Sequence, residues 1–158
     1  MDPVADRSRY RFRASVRVRF ADTDAQGVVH HATFLAYAEA ARHEYWAALG
    51  ISRFAMAREG VDDTSAEVQV RYRRAARFHD LLDVHARTAL LGRTSCIMEF
   101  LVTRGGSQEA IAEMRSAHVI LDPGTGRPTP LPNVFRKAVL EYEGEHVAVR
   151  ASGRLAAR

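Results

Sequence analysis

The sequence predicts an α+β fold: one antiparallel sheet and one long helix. Three observations carry this. Residues 11–20 alternate apolar and polar side chains without a break, residues 32–49 form an alanine-rich run free of Gly and Pro, and strand-like segments then follow one another with only short turns between them. Alternation with period two marks a strand with one buried and one wet face. Consecutive strands joined by tight turns pair antiparallel, whereas a parallel sheet needs a crossover between strands.

The elements follow in order. In RFRASVRVRF, Phe12, Ala14, Val16, Val18 and Phe20 share one parity, and Arg11, Arg13, Ser15, Arg17 and Arg19 the other. The next stretch, ADTDAQGVVHH, has two Asp and a Gly. That composition favours a turn and helix entry, because short acidic side chains bond nearby backbone N–H groups. Residues 32–49 predict a helix with an apolar stripe of Phe34, Ala38, Ala41, Tyr45 and Ala48, and with Glu39, Arg42 and His43 on the other side. Gly50 is placed to cap its C-terminus. So many alanines on the stripe imply close approach to a flat surface such as a sheet. Residues 51–59 predict a short second helix ended by Gly60.

Alternation returns over 66–74, and residues 81–91 and 94–103 read as strands joined at Gly92-Arg93. Gly105-Gly106-Ser107 marks a second hairpin. Residues 108–121 contain the Ala and Glu of a helix, yet the hairpin before them and the run Ala117–Leu121 favour a strand, which is the reading taken. Asp122 to Gly126 is a turn, three prolines follow at 128, 130 and 132, and 133–140 can form a closing helix. Residues 141–158 hold three Glu and three Arg with little apolar content and read as a flexible C-terminal tail.

A chain of 158 residues predicts a single domain, here 1–140. The values of 47% apolar and 27% charged residues suit a globular core. Cys96 is the only cysteine, so no internal disulfide and no cysteine zinc knot can form. No apolar run is long enough to span a membrane, and the first dozen residues lack the apolar core of a signal peptide. The expectation is a cytoplasmic protein. A net charge of +4 is well below the footprint of a nucleic-acid binder, and the arginines are not interleaved with stacking aromatics. Arg71, Arg73, Arg74 and Arg77 nevertheless cluster without an acidic neighbour. They form either a solvated strand edge or a grip for an anionic small molecule.

The stretch from Val18 to Tyr37 carries the chemistry. Asp22 and Asp24 stand at the end of a strand, followed by Gly27, by His30 and His31, and by the long helix. Asp before a helix is a common cap. The same placement also sets a carboxylate near a helix N-terminus, whose unpaired N–H groups can polarise a carbonyl. Such a carboxylate can act as nucleophile or as general base. No metal site is expected. His30 and His31 are neighbours that point apart on a strand or helix, and neither an HExxH motif nor a cysteine ligand is present. The G-x-S-x-G context of a serine nucleophile is absent as well.

The run Arg19-Phe20-Ala21-Asp22-Thr23-Asp24-Ala25-Gln26-Gly27-Val28-Val29-His30-His31-Ala32-Thr33-Phe34 resembles the signature of the hotdog-fold acyl-CoA thioesterases. It is most similar to the 4-hydroxybenzoyl-CoA thioesterase-like branch and to its Tol-Pal-associated bacterial members. The likeness continues through Glu39-Ala40-Ala41-Arg42, Val70-Arg71-Tyr72, Ala76-Arg77-Phe78-His79-Asp80, Gly92-Arg93-Thr94-Ser95 and Thr125-Gly126-Arg127-Pro128, covering about residues 14–140. It implies a five-stranded antiparallel sheet wrapped around one long central helix.

It also implies roles for residues. Asp24 matches the catalytic carboxylate, and His31 matches the residue whose backbone N–H binds the thioester carbonyl. Gly27, Val29 and His30 lie in the substrate-binding motif, and Asp22 reads as structural. Arg73, Arg74, Arg77 and Arg93 become candidates to hold the phosphates of CoA, although strand parity sets Arg71 and Arg73 on one face and Arg74 on the other. The sequence departs from the pattern at His30, Thr33 and Ala75, where Tyr or Phe, Asn or Ser, and Pro are usual.

The implied reaction is hydrolysis of an acyl-CoA to a free acid and CoA. It needs no cofactor, since CoA is part of the substrate, and an acyl carrier protein is the alternative thiol carrier. A homodimer or homotetramer is implied. The rival readings are a non-catalytic binder of acyl-CoA or acyl carrier protein, and a hotdog hydratase, whose motif is not found.

Overall fold

The structure, a computed structural model, describes residues 6–150. A 3-10 turn at Arg7–Arg9 precedes β1 (Phe12–Arg17), and a second turn, Phe20–Asp22, precedes α1 (Thr33–Ala48). Then come α2 (Arg53–Arg58), β2 (Asp62–Tyr72), β3 (Leu81–Leu91), β4 (Ser95–Arg104), β5 (Ala110–Leu121), α3 (Asn133–Glu143), a 3-10 turn at Gly144–His146 and β6 (Ala148–Val149). The sheet runs in the order β1-β3-β4-β5-β2, and β6 adds to β3. β1 is antiparallel to β3, with Phe12 opposite Ala86 and Arg17 opposite Leu81. The short β6 is parallel to β3 at Leu90 and Leu91. The expected α+β class, antiparallel sheet and long helix are all present. No helix among the described residues is long and apolar enough to cross a membrane.

Sequence expectations shift at two places along the chain and an ambiguous segment resolves as read, each for a physical reason. β1 ends at Arg17, so the alternation that continues to Phe20 overruns the strand. Val18 still exchanges hydrogen bonds with Asp80 and His79, but the chain then folds into the turn at Asp22 and leaves Phe20 77% exposed. Residues 110–121 are strand, as read, despite their helix-forming composition, because β5 lies between β4 and β2 with eight of its twelve residues buried and none fully exposed. Pairing on both edges outweighs local propensity. Residues 141–150, expected in the tail, instead continue α3 and add β6. The buried Glu143 carboxylate accepts the Thr88 N–H at 3.2 Å, and the Arg150 N–H donates to Leu91 at 2.8 Å. The rest of that tail, 151–158, lies outside the described residues.

The chain divides into two compact units, with the boundary passing through α1 and through β2 to β5. The first takes the chain up to Tyr45 with Gln69–Arg87 and Glu99–Met114. In it, Phe34, Tyr37, Ala38, Ala41 and Tyr45 of α1 are buried. Tyr45 meets Phe12 of β1 edge to face at 5.6 Å, and Phe34 meets Tyr72 of β2 at 5.6 Å. Arg42, expected on the wet face, is instead 5% exposed and donates to Glu39 at 3.1 Å. In the second unit the Trp46 ring packs edge to face on His118 of β5 and Phe135 of α3, and Gly50 ends α1 with a φ of 75°.

The first unit also buries a polar sheet face that strand parity alone would assign to water. Asp83, His85, Arg87, Glu99 and Thr103 are all covered. Arg87 donates to Glu99 at 2.7 Å and lies 5.8 Å from the Tyr10 ring. Asp83 accepts from the Ser15 hydroxyl at 2.7 Å, and His85 meets Thr103 at 3.2 Å. Buried polar groups survive only when partnered in this way.

Burial, and after it the Arg7 charge, push the His85 imidazole down to about 4 against the pull of Asp83. Between the ordinary value of 6.5 and that value the unfolded chain takes up a proton that the folded chain refuses. Stability should therefore fall as pH drops through this window, with no His85 contribution above it. His85→Gln is expected to flatten the Tm-versus-pH curve there, and an unchanged slope would exclude His85 as the group responsible.

Candidate active site

Asp22 joins the end of the first strand region, the loop after it and the start of α1. Its side chain is 3% exposed. Oδ2 accepts the Arg19 N–H at 2.9 Å and the Tyr37 hydroxyl at 2.8 Å, and Oδ1 accepts the Arg19 guanidinium at 2.7 Å. Its backbone carbonyl accepts the His30 N–H at 2.9 Å and the Thr33 hydroxyl at 3.4 Å. The hydrogen-bonded Arg19 guanidinium, against the effect of burial and with help from the Arg19 N–H and Tyr37, holds the Asp22 carboxyl down at about 2. Burial, and then the bond to Asp22, raise the Tyr37 phenol. The structural role expected for Asp22 is what this geometry displays.

Between these anchors, residues 23–29 close a tight loop. Thr23 and Val29 form an antiparallel bridge, and the Asp24 N–H donates to Val28 at 2.9 Å. Gly27 donates back to the Asp24 carbonyl at 2.9 Å with a φ of 70°, a backbone conformation that side chains penalise. Asp24 Oδ1 accepts the Gln26 N–H at 2.8 Å, and Oδ2 has no partner among the described residues. The loop is fastened to the β2–β3 connection, where Val29 donates to Ala76 at 2.8 Å and the Arg77 guanidinium donates to Gly27 at 3.4 Å.

His31 sits in the turn that leads into α1. Its N–H has no partner among the described residues, as expected at a helix entry. Its carbonyl accepts the Tyr72 hydroxyl at 2.9 Å. His30 and His31 do not point apart as expected. Because both lie in a turn and not in a regular element, their rings approach to 4.1 Å, and His30 Nδ1 accepts the Ala32 N–H at 3.2 Å. No group of three or more His, Cys, Asp and Glu with metal-ligand geometry occurs among the described residues.

A cavity of about 380 Å³ is lined by Asp24, Val29, His31 and Arg74, together with Gln26, Phe34, Tyr72 and Arg73. It offers one free carboxylate oxygen, apolar walls and a basic rim. Gly27 and His30 belong to the same loop and turn but do not line it, and Arg77, which donates to the Gly27 carbonyl, does not line it either. Arg93 is not among its lining residues. That residue lies on the β3–β4 turn in the second unit, where its carbonyl accepts the Leu131 N–H at 2.9 Å. The parity that would separate Arg74 from Arg73 does not apply, since β2 ends at Tyr72 and both arginines follow it. Sequence reasoning missed Tyr72 and Phe34 as site residues, because both fitted apolar stripes.

The profile of the thioesterase-like superfamily matches residues 18–139. An acyl-CoA thioester hydrolase of Escherichia coli is 31% identical over 121 residues, which is 77% of this chain and 90% of that protein. A 1,4-dihydroxy-2-naphthoyl-CoA hydrolase of Synechococcus elongatus is 29% identical over 73% of this chain and 85% of its own. Among solved structures, a Thermus thermophilus thioesterase complexed with coenzyme A and zinc superposes with a TM-score of 0.74 at 36% identity. That match covers 86% of this chain and 96% of the other.

Two substitutions test the loop. In Gly27→Ala a new Cβ has room, its nearest neighbour being the Arg77 guanidinium at 3.9 Å, so the penalty is conformational. Denaturant unfolding should show a loss of about 1–2 kcal/mol. Asp22→Asn removes the charge shared with Arg19 and should lower Tm by about 5 °C in a thermal melt. A Tm equal to that of the parent would mean the ion pair does not hold the loop.

Proposed function

Since the chain belongs to the thioesterase-like superfamily, we propose that it hydrolyses an acyl-CoA thioester to a free carboxylic acid and CoA. One observation carries the reading: the Asp24 carboxylate and His31, whose backbone N–H has no partner among the described residues, line one cavity. A thioester carbonyl oxygen accepting the His31 N–H would be polarised by it and by the N-terminal end of the α1 dipole. Asp24 Oδ2 is then free either to attack the carbonyl carbon and expel the CoA thiolate, or to take a proton from an attacking water. In the first route a mixed anhydride forms and is then hydrolysed. The second yields acid and thiol in one addition–elimination sequence. Both use the same oxygen, and single turnover in ¹⁸O-labelled water separates them: direct attack by water puts one labelled oxygen in the product acid, whereas an anhydride opened at its Asp24 carbonyl releases an acid with no label and leaves the label in Asp24.

Val29 and the loop that turns at Gly27 form the wall against the acyl group, and His30 fixes the helix entry through Ala32. Arg74 would meet a phosphate at the rim, and Arg77 and Arg93, which lie outside the cavity lining, are further candidates. The reading needs no cofactor, CoA being half of the substrate. Assembly as a homodimer or homotetramer and a cytoplasmic location belong to the same proposal, and an acyl carrier protein is the alternative thiol carrier.

Thiol release from a panel of acyl-CoAs tests the activity directly, and a chain that binds acyl-CoA without releasing thiol would be a non-catalytic binder. Asp24→Asn should lower kcat/KM by about 10² or more. His31→Ala should cost less, since its backbone N–H remains. Full activity in the Asn variant would remove Asp24 from the reaction, and a larger loss from His31→Ala than from Asp24→Asn would reverse the assigned roles.

A further inference from the structure

Behind Arg73 and Arg74 lies a second cavity of about 800 Å³, lined by those two arginines together with Gln108, Glu109, Ala110 and Glu113. The two arginines also line the cavity of Asp24 and His31, so they form a wall common to both. Their backbones are pinned alike, since both N–H groups donate to the Ile111 carbonyl, at 2.8 and 3.2 Å. Their side chains are not held alike. Arg73 donates at 2.7 Å to Glu113, a carboxylate only 1% exposed at the sheet, and its departure would leave that buried charge only the longer pair with Arg71 at 3.9 Å. Arg74 is 64% exposed, and its guanidinium meets Glu109 at 3.2 Å, on the hairpin between β4 and β5.

The two carboxylates differ in what they leave behind. Glu109 Oε2 also accepts from Arg104 at 2.6 Å. Arg104 has further partners in the Asp80 carboxylate at 2.5 Å and the Ala75 carbonyl at 3.2 Å, so it stays satisfied if Glu109 swings away. Glu109 is 36% exposed and moves into water at little cost. Arg74 thus carries an exchangeable anion and Arg73 a fixed one.

We propose that Glu109 is a tethered competitor, its carboxylate occupying the seat on Arg74 that a phosphate of the thioester substrate takes, so that it sets the affinity for phosphorylated thiol carriers. This rests on the hydrolase reading above and deepens it. The charge the substrate needs is present but kept neutralised until a stronger anion arrives. A phosphate carries more charge and more acceptor oxygens than a carboxylate, and arginine pairs with it in two-pronged geometry. Glu109 touches neither Asp24 nor His31, and its effect falls on binding.

Three thioesters with one acyl group test the proposal: acyl-CoA, S-acyl 4′-phosphopantetheine and S-acyl pantetheine, which has no phosphate. Glu109→Gln should lower KM for acyl-CoA by about fivefold, the scale of one exposed ion pair, and leave KM for the pantetheine thioester unchanged. The gain should shrink at high salt and vanish in the double variant with Arg74→Ala. Glu109→Ala is the companion should the Gln amide keep a contact to Arg104. A gain shared by phosphopantetheine places the 4′-phosphate on Arg74, and a gain confined to CoA places a nucleotide phosphate there; either supports the seat. An unchanged or higher KM for acyl-CoA, or an equal change for the pantetheine thioester, overturns it. If the parent hydrolyses none of the three, the hydrolase reading fails. Calorimetric titration with CoA itself then decides the seat: tighter binding by Glu109→Gln supports it, and equal or absent binding overturns it.

Discussion

The buried carboxylate of Asp22 is the constraint on which the site depends. Its side chain closes a turn on Arg19 and takes the Tyr37 hydroxyl from the helix, while its main-chain carbonyl takes His30 and Thr33. One residue therefore fastens the chain before the loop, the chain after it and the first turns of α1. The loop between can only close on itself, and that closure puts Asp24 and His31 on one cavity. An ionised carboxylate this deep is tolerable only because each oxygen has a strong donor, and the same donors keep it ionised far into acid.

Around that point the first unit spends few polar groups without partners. The sheet face with Asp83, His85, Arg87 and Glu99 is paired within itself and with Ser15 and Thr103. Against this background, an Asp24 oxygen and a His31 amide without partners among the described residues stand out as groups left open for a ligand. The arginines differ in the same sense: Arg73 is locked to a buried carboxylate, whereas Arg74 holds one that can leave. Sites that bind transiently need such exchangeable partners, because a group already satisfied by an immovable one has nothing to offer a substrate.

Much of this was legible in the residues. Period-two alternation located β1 and the core of β2, and the Gly-marked hairpins separated β3, β4 and β5. The alanine-rich run marked α1 to within a residue at each end, with Gly50 after it. Helix-entry chemistry drew attention to the Asp-Gly-His segment, and the family resemblance singled out Asp24 and His31 within it. Other features were not legible. Phe20 kept the apolar parity yet is exposed, because the turn at Asp22 ends the strand before it. Tyr72 read as one more apolar position, and nothing local shows that its hydroxyl reaches His31. Arg93 was grouped with Arg74 for its charge, yet it does not line the cavity that Arg74 does.

The sequence by itself determined the order and kind of the elements as far as α3, the sharp turn at Gly27 and the loop that carries the carboxylate. These depend on rotamer and backbone preferences and on hydrogen bonds spanning a few residues, which act wherever the chain goes. Tertiary structure alone decided which polar side chains are spent and which are free. It buried Asp83, His85 and Arg87 on strand parity that points to water, tied Arg73 to Glu113, and left Arg74 with Glu109. A charged side chain has no intrinsic fate: its energy is set by the dielectric and the counter-charge around it, and both are supplied by residues far away in the chain.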